Sequence, residues 1–154
     1  MRLSTRGRYA VMAMVEMAAR EARAGEGCIG GRPVTLHDIA TAQHLSVAYL
    51  EQLFGRLRRA GLVASARGPG GGYRLARPAA EIPIAAVVEA ADEPIVATRC
   101  EEGGPGCLAG ERCLTHDLWA ELGDQIRLFL RGMTLADVVG GKVTGRARAP
   151  AAPE

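Results

Sequence analysis

One segment of the chain concentrates the residues best suited to metal chemistry. It reads RCEEGGPGCLAGERCLTH, from position 99 to 116, and it contains Cys100, Cys107 and Cys113, followed closely by His116. Most residues between them are glycine, proline or charged, so packing in an apolar core does not explain the clustering. Thiolate and imidazole are ligands of zinc and of iron–sulfur clusters. We therefore predict a metal centre at these four positions.

The spacing of these ligands favours an iron–sulfur cluster. The pattern is C-x6-C-x5-C-x2-H and lacks the close cysteine pair that is common in zinc sites. Wide, glycine-rich gaps let the backbone wrap a larger group and direct N–H groups at its sulfides. Structural zinc, a disulfide with one leftover thiol, and unused thiols are the alternatives, and spacing alone does not separate a two-iron from a four-iron cluster. Cys28 lies in a separate glycine-rich stretch, and we assign it no function.

Composition and charge limit the classes of protein to which the chain can belong. The chain has 154 residues, enough to bury a core. It shows neither a long apolar run nor a signal-peptide pattern, so we expect a cytoplasmic protein without a membrane partner, in a compartment where thiols stay reduced. Residues 1–77 carry 12 Lys and Arg against 5 Asp and Glu, a net +7, whereas residues 78–154 carry 7 against 12, a net −5. The basic half indicates a polyanionic partner at that end.

A helix-turn-helix pattern lies in the basic half. Thr35 and Asp38 have the spacing of a capping box at the start of one short helix. The letters QHL then form a turn, and Ser46 caps a second helix of about 15 residues. This second helix carries one apolar stripe at i, i+3, i+4 and i+7, made by Leu50, Leu53, Phe54 and Leu57. Two short helices joined by a brief turn are the helix-turn-helix arrangement.

Further helices and a hairpin surround this pattern. Residues 2–20 form an apolar, largely buried helix, and the run LVASARGPGGGYRLARP predicts a β-hairpin whose glycines permit positive φ. A hairpin directly after a helix-turn-helix is a wing. A short helix follows around IPIAAVVEAAD, a long one begins near Leu118 and ends at Gly132, and Thr134 starts a last short one.

The face of the second helix opposite its stripe predicts DNA contacts. Stepping about 100° per residue from Leu50 places small residues, Gln52 and arginines on that face. Small residues allow close approach in the major groove, glutamine can bond adenine, and arginine can bond guanine or phosphate. Arg58, Arg67 and Arg74 add phosphate or minor-groove contacts, with Arg67 at the turn of the wing. The predicted DNA-contacting set is Ala48, Tyr49, Glu51, Gln52, Arg56, Arg59, Arg67 and Gly70.

Glu51 stands out in this set because a carboxylate beside the groove repels phosphates. It lowers affinity unless it accepts a hydrogen bond from cytosine N4, so we interpret it as a sequence filter. The alternatives are an intrahelical ion pair with Arg58 and a solvated side chain. The GPGGG turn is also typical of phosphate cradles, but a strand follows it and no P-loop lysine is present, so we exclude nucleotide binding.

Several blocks together resemble one known family. They read MRLSTRGRYAVMAM, LSVAYLEQLFGRLRRAGLV, RGPGGGYRLARP, ATRC and CLTHDLW, and they are similar to the IscR family of iron–sulfur cluster assembly regulators, which are winged-helix transcription factors. The resemblance implies a homodimer with a 2Fe–2S cluster in each subunit, held by Cys100, Cys107, Cys113 and His116. It implies that the cluster assembly machinery is the donor, and that Glu51 discriminates between classes of operator. Gln52 and Arg67 match positions that touch DNA in that family.

The residues and the resemblance lead to one organisation and one function. The fold class is mainly α with a small β-hairpin, a winged helix-turn-helix plus a long C-terminal dimerisation helix. We predict a transcription factor, not an enzyme, that binds palindromic operators as a homodimer and represses, or also activates, genes of iron–sulfur cluster biogenesis. The predicted divisions are 1–80 for the winged DNA-binding domain, 81–98 for a connecting helix, 99–116 for the cluster loop, 117–141 for the dimerisation helix and a short terminal helix, and 142–154 for a disordered tail.

The same residues are compatible with other functions. A winged-helix regulator could sense zinc or thiol oxidation through the same cysteines, or nitric oxide through a four-iron cluster. An electron-transfer protein or an enzyme could also use a cluster, although it would have no need of a basic helix-turn-helix.

Overall fold

The computed structural model describes residues 4–24, 32–91, 95 and 112–143. Helices dominate these ranges, and two strands form one antiparallel hairpin, so the predicted mainly α fold class with a small hairpin is confirmed. The elements are α1 (Thr5–Arg23), α2 (Leu36–Gln43), α3 (Val47–Arg59), β1 (Val63–Ala66), β2 (Gly72–Leu75), a 3-10 turn (Ala79–Glu81), α4 (Ile84–Ala90), α5 (His116–Arg131) and α6 (Leu135–Val139).

Helix α1 forms the centre of the core. It begins at Thr5 rather than at position 2 because the Ser4 hydroxyl accepts a hydrogen bond from the Arg6 amide at 3.1 Å and caps it. Its buried residues combine alanines with Met14 and Met17. Small side chains allow other helices to approach closely while methionines fill the remaining gaps, and α1 contacts α2, α4 and α6.

The helix-turn-helix forms as the sequence predicts. The Thr35 hydroxyl accepts from the Asp38 amide at 3.1 Å while the Asp38 carboxylate accepts from the Thr35 amide at 3.3 Å, a complete capping box. The hydrogen bond from the Thr35 hydroxyl holds the pKa of Asp38 below its ordinary value. The chain then turns through His44 at a φ of 53°, and the Ser46 hydroxyl caps α3. Both predicted caps are confirmed.

The wing is the predicted hairpin with one addition. Val63 pairs with Leu75 and Ala66 with Gly72, and the segment before α2 joins through a bridge between Val34 and Tyr73. At Gly72 the φ is 156°, and a Cβ there would lie 2.4 Å from the Val34 carbonyl oxygen. Only glycine fits this close backbone approach.

After α5, the chain returns to the winged-helix core. The Ile84 amide donates to the Met133 carbonyl at 2.8 Å, and the Leu135 amide donates to the Ile82 carbonyl at 3.0 Å. Helix α6 begins at a second capping box, between Thr134 and Asp137. Met133 and Leu135 are buried in the same core as α1. The C-terminal end of α5 is therefore fixed to the winged-helix half of the molecule.

Helix α5 has the predicted amphipathic sequence but little cover. Leu118 is 60% exposed and Phe129 is 44% exposed, and Gly123 is the buried residue of the helix. Among the described helices, none combines the length and the apolar character needed to cross a membrane.

Candidate nucleic-acid interface and metal centre

Helix α3 turns one face into the core and the other to solvent. Leu50, Leu53, Phe54 and Leu57 are all buried, which confirms the predicted stripe, and Phe54 packs edge-on against the ring of Tyr73 at 4.8 Å between centroids. With the stripe held inside, the opposite face must point outward. The exposed side chains of the helix include Ala48, Glu51, Gln52, Arg58 and Arg59.

The exposed face offers small and polar groups for a groove. Gln52 is exposed beside Ala48, one turn earlier on the helix. Arg59, one turn further along from Gly55, donates from Nε to the Gly55 carbonyl at 3.3 Å. The arrangement presents an amide flanked by small residues, which suits close approach to base edges, with a cation at the far end for a phosphate.

Arg56 differs from the placement that the helical repeat predicts. Its side chain is half-buried at the flank of α3, and Nη1 donates to the Ala91 carbonyl oxygen at 3.2 Å. The helical repeat ignores neighbouring helices, whereas here the carboxyl end of α4 lies beside that flank and accepts the bond. A DNA contact by Arg56 stays a prediction.

Two residues at the start of α3 have different surroundings. Tyr49 is half-buried, and its ring stands perpendicular to that of Tyr9 in α1, with 5.9 Å between centroids. Glu51 is exposed, and across the described part of the chain no ion pair joins it to Arg58. The alternative in which Glu51 serves as the intrahelical partner of Arg58 thus has no support from the geometry.

The tip of the wing is an exposed tight turn. The Gly71 amide donates to the Gly68 carbonyl at 2.8 Å, and Gly70 has a φ of 76°. Arg67 and Gly70 are both exposed, whereas Arg74 is half-buried and its Nε makes no hydrogen bond within the described residues. The turn therefore projects Arg67 away from the core, as a wing contact to a phosphate or a minor groove requires.

Two arginines that were not predicted from the sequence lie near this surface. Arg6 and Arg8 are exposed in the first turns of α1, and the contact between Tyr9 and Tyr49 brings this end of α1 beside the start of α3. The signal was the RGR run at positions 6–8, within the basic half. Two cations there can add phosphate contacts.

The described half of the candidate metal centre lies at the start of α5. The His116 amide donates to the Cys113 carbonyl at 3.0 Å, so one turn holds both residues. Cys113 is half-buried with a free thiol, and its Sγ lies 3.4 Å from the Thr115 hydroxyl oxygen. Cys100 and Cys107 lie outside the described residues. Within the ranges that are described, no group of three metal-binding side chains comes together.

The donor chemistry of this half fits an iron–sulfur cluster. A reduced thiol three residues before an imidazole provides one soft anionic ligand and one neutral nitrogen ligand from the same turn. The hydroxyl of Thr115 can donate to the sulfur and so tune it as a ligand. Zinc accepts the same two ligands, so this half of the site is compatible with both metals.

A half-buried acid joins α1 to the wing. The Leu75 amide donates to Glu21 Oε1 at 3.2 Å. Burial raises the pKa of Glu21 above its ordinary value, and the hydrogen bond from Leu75 opposes this in part. The carboxyl lines a cleft of about 390 Å³ that also contains Arg20, Arg32 and Asp38.

Comparison with known proteins identifies the family of the chain. A family model named Rrf2, described as an iron-dependent transcriptional regulator, matches residues 3–141. Proteins of Serratia proteamaculans and Pectobacterium carotovorum, both named HTH-type transcriptional regulator IscR, are 51% identical to the chain over 142 residues, covering 92% of this chain and 81% of each relative.

Solved structures of two regulators share the fold. The IscR of T. potens is 33% identical with a TM-score of 0.69, over 97% of this chain and 94% of that one. CymR, the global cysteine regulator of B. subtilis, is also 33% identical, with a TM-score of 0.72 over 92% of this chain and 98% of that one. The resemblance to IscR and the winged-helix fold class are both confirmed. The chain belongs to the Rrf2 family of iron-dependent transcriptional regulators.

Proposed function

We propose that the protein is a homodimeric, iron–sulfur cluster-sensing transcription factor of the cytoplasm. It binds palindromic operators and represses, or for some targets activates, genes of iron–sulfur cluster biogenesis. The observation that carries the proposal is the pairing of Cys113 with His116 on the turn that opens α5, in a chain whose α3 exposes a groove-compatible face. Relatives named IscR over most of the chain support it.

The cluster ligands in this proposal are Cys100, Cys107, Cys113 and His116, and the assembly machinery is the cluster donor. A bound 2Fe–2S cluster supplies a group whose presence and redox state depend on cellular iron and oxidants. The chain contributes a half-buried thiol at Cys113, a hydroxyl at Thr115 that can bond the sulfur, and a helix start that orients His116.

Helix α5 is the proposed dimer interface. Leu118, Leu122, Gln125 and Phe129 follow a 4-3-4 spacing, which is that of a coiled-coil seam. Leu118 and Phe129 leave large apolar surfaces uncovered in the single chain. A second copy related by a two-fold axis would cover both, and two-fold symmetry in the protein calls for a palindrome in the DNA.

In the proposed complex, α3 enters the major groove and the wing contacts the flanking backbone. Gln52 reads a base edge, Ala48 permits the approach, and Arg59 and Arg67 contact phosphates. Glu51 stands on the exposed face without an ion-pair partner in the described chain. Its charge therefore acts on the DNA, and it penalises operators that offer no donor to the carboxylate.

Anaerobic purification tests the cluster. We expect a coloured protein with two iron and two sulfide per chain, and we expect Cys113→Ala to lose the visible absorption. A Cys28→Ala variant removes a cysteine outside the cluster segment, should retain the absorption and serves as the matched control. Zinc without sulfide would instead favour the zinc sensor, four iron per chain the nitric-oxide sensor, and a colourless metal-free protein the thiol sensor.

Binding to duplex DNA tests the interface. We expect Gln52→Ala and Arg67→Ala each to weaken binding by about 1–3 kcal/mol at matched salt, because each removes one contact. Arg131→Ala changes an exposed arginine on α5 and should leave the affinity unchanged. Unchanged affinity in both α3 and wing variants would contradict the assigned interface.

A further inference from the structure

Two arginines hold the chain on either side of positions 92–94. From α3, Arg56 Nη1 donates to the Ala91 carbonyl oxygen at 3.2 Å. From α5, Arg127 Nη1 donates to the Ile95 carbonyl oxygen at 3.0 Å. Ala91 is fully buried and Ile95 is 7% exposed, so both carbonyls belong to the packed body of the protein.

These carbonyls lie at the entrance to the cysteine-rich segment. Ile95 precedes Cys100 by five residues, and the segment ends where Cys113 and His116 open α5. Arg127 thus ties the entrance of the segment to the helix that forms its exit. Arg56 ties the end of α4, just before that entrance, to the DNA-reading helix.

The Ala91 carbonyl is a suitable acceptor for such a link. Ala91 is the C-terminal cap of α4, and the last carbonyls of a helix have no partner further along it. A guanidinium satisfies such an oxygen with a charge-assisted bond that depends on direction. A displacement of Ala91 would therefore either move the Arg56 side chain or break the bond.

We propose that Arg56 is a positioning residue that transmits the state of the cysteine-rich segment to the recognition helix. The proposal rests on the proposed function, because it requires both cluster binding and operator binding. Arg56 lies one helical turn after Gln52 and five residues after Glu51, so a change in its anchorage alters how α3 presents both side chains. Arg127 fixes the opposite end of the same short segment and completes the link.

The rival role for Arg56 is a direct contact to DNA. A contact residue stabilises the complex equally whether or not the cluster is present, so its loss lowers both affinities by the same factor. A positioning residue changes the difference between the two forms. The ratio of the cluster-free to the cluster-loaded dissociation constant therefore separates the two roles.

The experiment uses the full-length protein and a duplex selected by the wild-type, cluster-loaded protein from a randomised library. We expect Arg56→Gln to bring the ratio closer to one by about fivefold or more, with iron, sulfide and dimer content unchanged. Arg56→Lys keeps a donor and should restore part of the ratio. As the matched control, Arg59→Gln on the same helix should leave the ratio at its wild-type value.

A second variant, at Arg127, tests the proposal even if Arg56→Gln does not fold. Arg127→Gln lies on α5, away from the reading helix, and should reduce the ratio in the same direction. Arg131→Gln, one turn later on α5, should not. A wild-type ratio in Arg127→Gln, or equal losses in both forms of Arg56→Gln, would overturn the proposal. A wild-type protein that binds no cluster, or whose ratio is one, overturns the proposed function itself.

Discussion

Helices α3 and α5 carry similar apolar patterns and lie in opposite surroundings. In α3, Leu50, Leu53, Phe54 and Leu57 are at most 2% exposed. In α5, Leu118 and Phe129 are 60% and 44% exposed although they follow the same helical repeat. The two helices have similar lengths, of 13 and 16 residues, so length does not explain the difference.

The difference lies in what covers each helix. Other elements of the chain, including α2, α4 and β1, pack against α3, whereas α5 contacts α4 through one side. An apolar stripe indicates that a helix packs against a partner. It does not indicate whether that partner belongs to the same chain. The winged-helix half is covered within one copy, whereas α5 would be covered only in the proposed dimer.

The largest expected effect tests the covered helix. Phe54 is fully buried against Tyr73, and Phe54→Ala removes the ring and leaves a cavity. We expect the free energy of unfolding to fall by about 3–5 kcal/mol, measured by urea denaturation at a fixed protein concentration. A loss of under about 1 kcal/mol would show that the core repacks around the gap and that α3 is less firmly enclosed than its burial indicates.

The next effect tests the uncovered helix. Leu118→Glu places a charge in the proposed seam, and we expect the dimer dissociation constant to rise about 100-fold or more. Light scattering after size-exclusion chromatography measures it, and the helical circular dichroism should not change. Leu128→Glu is the matched control, because Leu128 is 61% exposed but lies off the seam. If only the Leu128→Glu variant dissociates, the dimer interface lies on the face of α5 that carries Leu128.

The same contrast explains which features the sequence predicted. Caps, the α3 stripe and the hairpin depend on residues within a few positions of each other, so the local sequence alone specifies them. The contact between Arg56 and Ala91 spans 35 positions and depends on where α4 packs. The bridge from Val34 to Tyr73 has the same origin, since two distant backbones must first be brought together.

The candidate site also combines local features, which the sequence predicts, with long-range features, which it does not. Cys113 and His116 are close because they are three residues apart on one turn, and spacing predicts that. The approach of Tyr9 to Tyr49, which brings Arg6 and Arg8 toward the start of α3, follows from the packing of α1 and is absent from any local pattern. Periodicity placed Gln52 correctly on the exposed face because, among the described residues, none covers its side chain.

The caps give a smaller effect that sharpens the comparison. The Ser46 hydroxyl accepts from the Tyr49 amide at 3.1 Å, whereas Thr115, the corresponding residue of α5, makes no side-chain cap. Ser46→Ala should therefore cost about 1 kcal/mol of unfolding free energy, and Thr115→Ala should cost nothing measurable. Equal losses in urea denaturation would mean that Thr115 supports α5 in another way, and the two helix starts would no longer differ in kind.

The smallest expected effect concerns the charge of Glu21, which lies in the winged-helix half of the chain. Because burial raises the pKa of Glu21, its contribution to stability is fully present below the ordinary value of 4.5 and is lost as the pH rises through the folded-state value. Glutamine keeps an oxygen for the Leu75 amide and carries no charge. We expect Glu21→Gln to match the wild type in acid and to be slightly more stable at neutral pH, measured as unfolding free energy across a pH series. Glu89→Gln, at an exposed site, controls for the loss of one charge. The opposite slope would mean that Arg20 and Arg32, which line the same cleft, stabilise the Glu21 carboxylate more than burial destabilises it.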